Sequence, residues 1–153
     1  NAVYTEYLST LASSEKDDNG KALALVEGTF KEGDRFLLTD IDAYPEDSKT
    51  KAECKKISVL NGTGPFTVRY LIPDDIENPE IEIYDNGAFI PVSGYIDGSY
   101  YVFNVDKQEF IFACLERPAS LLPVFCSVAA GVLLILLIVL RIIKRKKARA
   151  KQS

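Results

Sequence analysis

The sequence predicts a mainly β chain: an Ig-like antiparallel β-sandwich outside the cell, followed by a single transmembrane α-helix. Three observations predict it. Short β-prone runs recur with turn residues every 8 to 12 positions, and they are not interleaved with helical repeats. From Pro118 to Leu140 there is no charged residue. Immediately after come Arg141, Lys144, Arg145, Lys146, Lys147, Arg149 and Lys151.

The order of elements follows from local chemistry. In residues 3–13, Val3, Tyr7, Leu8 and Leu11 recur at helical spacing. Residues 1–20 are therefore expected to form a short helix and linker, with a loop over Ser13 to Gly20. Lys21 to Phe30 reads two ways: Ala-Leu-Ala-Leu favours helix locally, while Gly28-Thr29 fits entry into a sheet. From there the sandwich is expected to run over residues 21–117, with strands near Arg35–Ile41, Cys54–Leu60 and Phe66–Ile72. Gly62-Thr63-Gly64-Pro65 is expected as the turn between the last two. Asp85-Asn86-Gly87 supplies the positive φ angles of a tight hairpin between Ile81–Tyr84 and Ala88–Val92. Asp97-Gly98-Ser99 repeats the device between Gly94–Ile96 and Tyr100–Val105, and Phe110–Leu115 closes the set, about seven short strands in all. Alternation puts Phe66, Val68 and Tyr70 on a packed face, with Thr67 and Arg69 on a wet one. Ile81 and Ile83 oppose Glu80 and Glu82 in the same way, and Pro91 marks its strand as edge or terminal.

Residues 118–143 are expected to be the membrane helix. About 20 apolar residues at 1.5 Å rise cross a hydrocarbon core of roughly 30 Å, and a lone segment satisfies its backbone in lipid only as helix. Residues 144–153 are then a basic cytoplasmic tail, because Lys and Arg beside a span resist translocation and are drawn to anionic headgroups. The predicted location is the cell membrane, single-pass, with the N-terminal domain outside and the lipid bilayer as first partner. Ser127 and Gly131 stand four apart, with Ala130 beside them, a small-residue face on which two helices can approach. Cys126 in this run reads as apolar packing. The oligomeric state is left open.

Charge divides the chain the same way. All 22 Asp and Glu lie in residues 1–117 against 11 of the 18 Lys and Arg, and the other seven basic residues follow residue 140. An acidic outer domain lacks the phosphate-neutralising surface of a nucleic-acid binder, so no nucleic-acid partner is expected. The chain has no Met, so Asn1 is read as the start of a processed or excised piece, with the export signal further upstream.

Sites are sparse. With no His and no Trp there is no imidazole base or ligand, and no enzyme activity, catalytic residue, cofactor or metal is expected. Lys56 and Ser58 share one strand face as a formal amine–hydroxyl pair, and Asp40/Asp42 and Asp74/Asp75 are the carboxylate pairs; solvated-surface and turn roles are the plain reading of each. Asp40, Asp42, Glu46 and Asp47 make an acidic loop with oxygen donors but no EF-hand spacing. Cys54 and Cys114 both lie outside, where an oxidising exterior permits a bridge between them. Asn61-Gly62-Thr63 fits a glycosylation acceptor and equally a turn. Tyr84, Phe89, Tyr95, Tyr100, Tyr101 and Phe103 cluster late in the chain; about half are expected in the core, leaving the rest for a protein or glycan ligand.

Gly64-Pro65-Phe66-Thr67-Val68-Arg69, Leu71-Ile72-Pro73-Asp74, Ile83-Tyr84 with Gly87, Ile90-Pro91-Val92 and Gly98-Ser99-Tyr100-Tyr101-Val102-Phe103 together resemble the C-terminal β-sandwich modules of Gram-positive (Firmicutes-type) bacterial surface proteins. The similarity covers roughly residues 35–116 and rests on turn and core positions, so it implies fold more than activity. It implies a structural or adhesive module that ends a surface protein and holds it at the membrane. An interaction or sensing subunit of a membrane complex, or a carbohydrate-binding accessory module, are the competing expectations. No Leu-Pro-x-Thr-Gly signal precedes the apolar run, and Leu121-Leu122-Pro123-Val124 lacks the Thr-Gly, so retention falls to the helix itself.

Overall fold

The computed structural model describes residues 6–42, 45 and 52–117. All belong to one compact unit, Asn1–Pro118. The run at 118–143 and the basic tail at 144–153 lie outside the described residues, as do Ser127, Gly131 and Cys126. Among the described residues no helix is long and apolar enough to cross a membrane.

The described residues form ten strands divided equally between two antiparallel sheets. They are β1 (Tyr7–Ala12), β2 (Ala24–Phe30), β3 (Arg35–Asp40), β4 (Ala52–Leu60), β5 (Thr63–Leu71), β6 (Pro79–Asp85), β7 (Ala88–Pro91), β8 (Gly94–Asp97), β9 (Tyr100–Val105) and β10 (Glu109–Glu116). One sheet runs β1-β2-β5-β9-β8 and the other β3-β4-β10-β6-β7. The inner faces share one apolar core, so the fold is a β-sandwich. Phe30 stacks on Phe66 at 6.1 Å within the first sheet. Between the sheets, Tyr70 meets Phe112 edge-on at 4.9 Å and Phe103 meets it at 5.6 Å.

Each expected strand from Arg35 onward is present, and the alternation holds. Phe66, Val68 and Tyr70 are buried while Thr67 and Arg69 are only partly covered. Pro91 does sit on an edge strand, β7. Asn86 (φ 49°) and Gly87 (φ 92°) make the β6–β7 turn, and Gly98 (φ 61°) opens the two-residue β8–β9 turn.

At the start of the chain one expectation is corrected and one open reading is decided. Tyr7 to Ala12, expected as helix, is strand β1, paired with β2 from Tyr7↔Phe30 to Ala12↔Leu25. A six-residue stretch gains more from that ladder than from an isolated helical turn and a half, whose nucleation is unfavourable. The ambiguous Lys21–Phe30 segment resolves as β2, with Ala24, Val26 and Phe30 inward. The turn after β4 is also shorter than expected. Asn61-Gly62 alone makes it, with Asn61 at φ 66°, and it carries the chain from one sheet to the other rather than closing a hairpin. Of the glycosylation-like triplet, Asn61 and Gly62 lie in this turn and Thr63 begins β5.

Candidate functional site

At one end of the sandwich the core gives way to a polar cluster that sequence reasoning missed. Ile57 and Val59 point inward on β4, so the period of two sends Glu53 and Lys55 inward as well. Opposite Lys55 on β3 stands Asp40, in register. The Lys55 ammonium donates to Asp40 and lies 2.8 Å from Glu53 Oε1. Glu53 Oε2 accepts the hydroxyl of Tyr70 at 2.8 Å from the facing sheet. The Lys55 side chain is 9% exposed and that of Asp40 is 85% exposed. The amine is therefore buried at the mouth of the core, and its charge is neutralised by one partly covered and one solvated carboxylate.

Electrostatics follow from this placement. Burial alone would lower the Lys55 pKa, but the hydrogen bonds and charges of Asp40 and Glu53 outweigh it and hold the amine above its ordinary value. Burial, reinforced by the Glu53 charge, pushes the Tyr70 phenol well above its usual range. A protonated amine held between carboxylates is a clamp and not a base.

Beside this cluster lies an open cleft of about 200 Å³, bordered by Asp17, Lys21, Glu53, Tyr70, Asp74 and Ser99. Its rim is built by local turns. Asp17 Oδ1 accepts the backbone N–H groups of Asn19 at 3.1 Å and Lys21 at 2.6 Å. Lys21 Nζ donates to Ser99 Oγ at 3.0 Å, and the Tyr100 hydroxyl donates to the Ala22 carbonyl at 3.0 Å. Among the described residues every buried polar side-chain atom has a partner.

The other expected site residues are placed separately. Lys56 and Ser58 do share the outer face of β4, yet both bind Glu109, at 2.9 and 3.2 Å. That ties Lys56 as an ion pair. Asp74 follows Pro73 in the turn closed by Ile76 N–H to the Pro73 carbonyl. Asp40 is committed to Lys55, while Glu46 and Asp47 lie outside the described residues. Among the described residues no group of three acidic or sulfur ligands is placed to hold a metal ion.

The Cys54–Cys114 bridge that the sequence left open is not present: both thiols are free and buried. In the β4–β10 ladder Cys54 opposes Ala113 while Cys114 opposes Glu53. The two cysteines therefore point to opposite faces of one sheet, and a bridge would have to pass through it. Cys114 joins the core between the sheets, whereas Cys54 packs with Ala113 and Leu115 on the outer face. Of the late aromatics, Tyr101 and Phe103 are buried, Phe89 and Tyr100 are half-buried, and Tyr84 and Tyr95 are exposed. Tyr84 and Phe89 meet edge-on at 61° rather than forming a flat platform.

The described residues thus define an antiparallel β-sandwich closed at one end by a buried lysine clamp. Comparison of the chain with known protein families, characterised proteins and solved structures finds no match.

Proposed function

We propose that this chain is a membrane-anchored, Ig-like extracellular module whose work is structural or adhesive: it ends a surface protein and holds it at the bilayer. The observation that carries this reading is the charge-free run Pro118–Leu140 followed by seven basic residues, directly after the last strand of the sandwich. The fold supports it. A mechanical end-piece needs long-range strand pairing, and the last strand, β10, lies at the centre of its sheet between β4 and β6. Tension arriving through β10 is therefore shared by two ladders. Among the described residues every buried side-chain polar atom has a partner, as a load-sharing scaffold requires.

A second reading, an interaction subunit of a membrane complex, draws on one observation. The outer face of the β3–β7 sheet carries its own apolar cluster, Cys54, Ala113 and Leu115 with Ile111 and Phe89 beside them. The carbohydrate-binding reading gains no support from the edge-on aromatic pair.

The test uses the full chain in cells. Carbonate washing is expected to leave it in the membrane pellet, and an impermeant maleimide is expected to label Asn104→Cys but not Ser153→Cys. Release into the soluble fraction, or labelling of the tail alone, overturns the proposal.

A further inference from the structure

We infer that strand β1 is a self-association edge, at which two copies of this chain pair antiparallel across a two-fold axis at Thr10. A sheet edge is a row of unpaired N–H and C=O groups, and proteins blunt such rows with charge, proline or shortness. Among the described residues, three of the four sheet edges are blunted. Strand β3 begins at Arg35 and ends at Asp40, and β7 ends in Pro91. Strand β8 has four residues and holds Asp97 in an ion pair with Arg69. Strand β1 reads Tyr-Leu-Ser-Thr-Leu-Ala, six residues without charge or proline, and it exposes Leu8 (73%) and Tyr7 (50%).

The backbone sets the register. The Ser13 N–H donates to the Ala24 carbonyl at 2.9 Å in continuation of the β1–β2 ladder. Alternation then turns the N–H and C=O of Tyr7, Ser9 and Leu11 toward β2, and those of Leu8, Thr10 and Ala12 outward. A second β1 meets those three outward residues with its own same three only if Thr10 faces Thr10, Leu8 faces Ala12 and Ser9 faces Leu11. No charge meets a like charge anywhere along this pairing. Glu6, which is paired with Lys31 in its own copy, falls opposite Ser14. Threonine opposite threonine is a favourable cross-strand pair, and Leu8 gains an apolar neighbour. The self-match favours a second copy over an unrelated strand. The contact is small and therefore weak in dilute solution.

Cysteine capture in the full chain, in detergent micelles and in a Cys126→Ser background, tests it. Thr10→Cys places two thiols on a hydrogen-bonded pair about 5.5 Å apart, within disulfide range. Leu8→Cys places them four residues out of register, on the order of 14 Å apart. Asn104→Cys serves as an exposed control on the outer face of the same sheet. Oxidation is expected to give several-fold more dimer from Thr10→Cys than from either other variant, and Leu8→Lys added to Thr10→Cys is expected to remove that excess. Equal dimer from all three variants, or none from Thr10→Cys, overturns the inference; so does an excess that survives Leu8→Lys.

Discussion

Tyr70 on β5 donates its phenolic hydrogen to Glu53 on β4 across the gap between the two sheets, at 2.8 Å. The ring of the same tyrosine packs edge-on against Phe112, so one residue is core at its body and polar at its tip. Its hydroxyl in turn fixes the carboxylate that holds Lys55.

Removing only the hydroxyl isolates that link. Tyr70→Phe keeps the ring packing and is expected to cost about 1.5–2 kcal/mol, the low end for one hydrogen bond to a charged acceptor, because that acceptor is only partly covered. Glu53→Gln is expected to cost a similar amount, and the double variant less than the sum of the two. Urea midpoints of the three variants check it; additive losses would mean that the two groups do not act together.

Lys55 and Lys56 are adjacent in sequence and opposite in consequence. Lys55→Met leaves Glu53 without its cation at the core mouth, and about 1–2 kcal/mol is expected, less than for a fully buried pair because Asp40 reaches solvent. Lys56→Met removes a surface pair with Glu109 and is expected to cost about 0.5 kcal/mol or less. Thermal melts of the two variants should separate clearly. Equal melting temperatures would contradict the inward placement of Lys55.

That contrast also shows what sequence carried and what it hid. Turn chemistry at Asn86-Gly87 and Gly98-Ser99, and alternation in Phe66–Tyr70, are local signals, and the strands they bound stand where they were expected. The site was partly legible: Ile57 and Val59 fix the inward parity of β4, and stepping back two residues at a time reaches Lys55 and Glu53. A charged side chain reads as solvent-facing until its partner is known, and Asp40 and Tyr70 are distant in sequence. Strand β1 was hidden for a different reason. Tyr7, Leu8 and Leu11 match a helical stripe, and only the β2 ladder, a tertiary feature, makes the segment extended.

The two cysteines give a chemical check on the sheet register. With Cys54 and Cys114 on opposite faces, mild oxidation of the native chain is expected to form no bond between them. Both thiols should stay unlabelled by iodoacetamide at neutral pH, since burial raises the Cys54 thiol and pushes that of Cys114, with help from Glu53, up to about 12. Peptide mass mapping under non-reducing conditions reads both outcomes. A linked Cys54–Cys114 peptide would require a shifted β4–β10 register.

The same shifts set the alkaline limit of stability. Cys114 rises from 9.0 to about 12 on folding, and Lys55 and Tyr70 also rise. A group whose folded pKa is raised holds its proton more tightly in the native state, so its contribution is complete below the unfolded value and is lost as pH climbs toward the folded one. Stability is therefore expected to be level near neutrality and to fall from about pH 9, where the unfolded Cys114 thiol begins to ionise, with Tyr70 and Lys55 adding to the fall above about pH 10. Cys114 alone can contribute up to about 4 kcal/mol across its window. Cys114→Ala loses some core packing at pH 7, and its urea midpoint should fall less between about pH 9 and 10 than that of the wild type, the remaining fall there coming from Cys54, whose thiol burial also raises. A wild-type midpoint that does not change between pH 8 and 11 would show that these groups titrate alike folded and unfolded.

Gly62 and Gly87 are both turn glycines, and the structure separates their reasons. Gly87 sits at φ 92° with open space around it, so Gly87→Ala meets no atom and costs only backbone strain, about 1–2 kcal/mol. Gly62 has no such φ, but a Cβ there would run into the ring of Phe30 and into Val59, at the point where the chain passes from one sheet to the other. Phe30 is 1% exposed and stacked on Phe66, so it has nowhere to retreat, and the intrusion strains the core itself. Gly62→Ala is expected to cost about 2–3 kcal/mol. The cost at Gly62 should fall when the ring is made smaller: Gly62→Ala in a Phe30→Leu background should lose less than it does alone, while Gly87→Ala should lose the same in both backgrounds. A Gly62 penalty indifferent to Phe30 would place its origin in the turn and not in the packing beneath it.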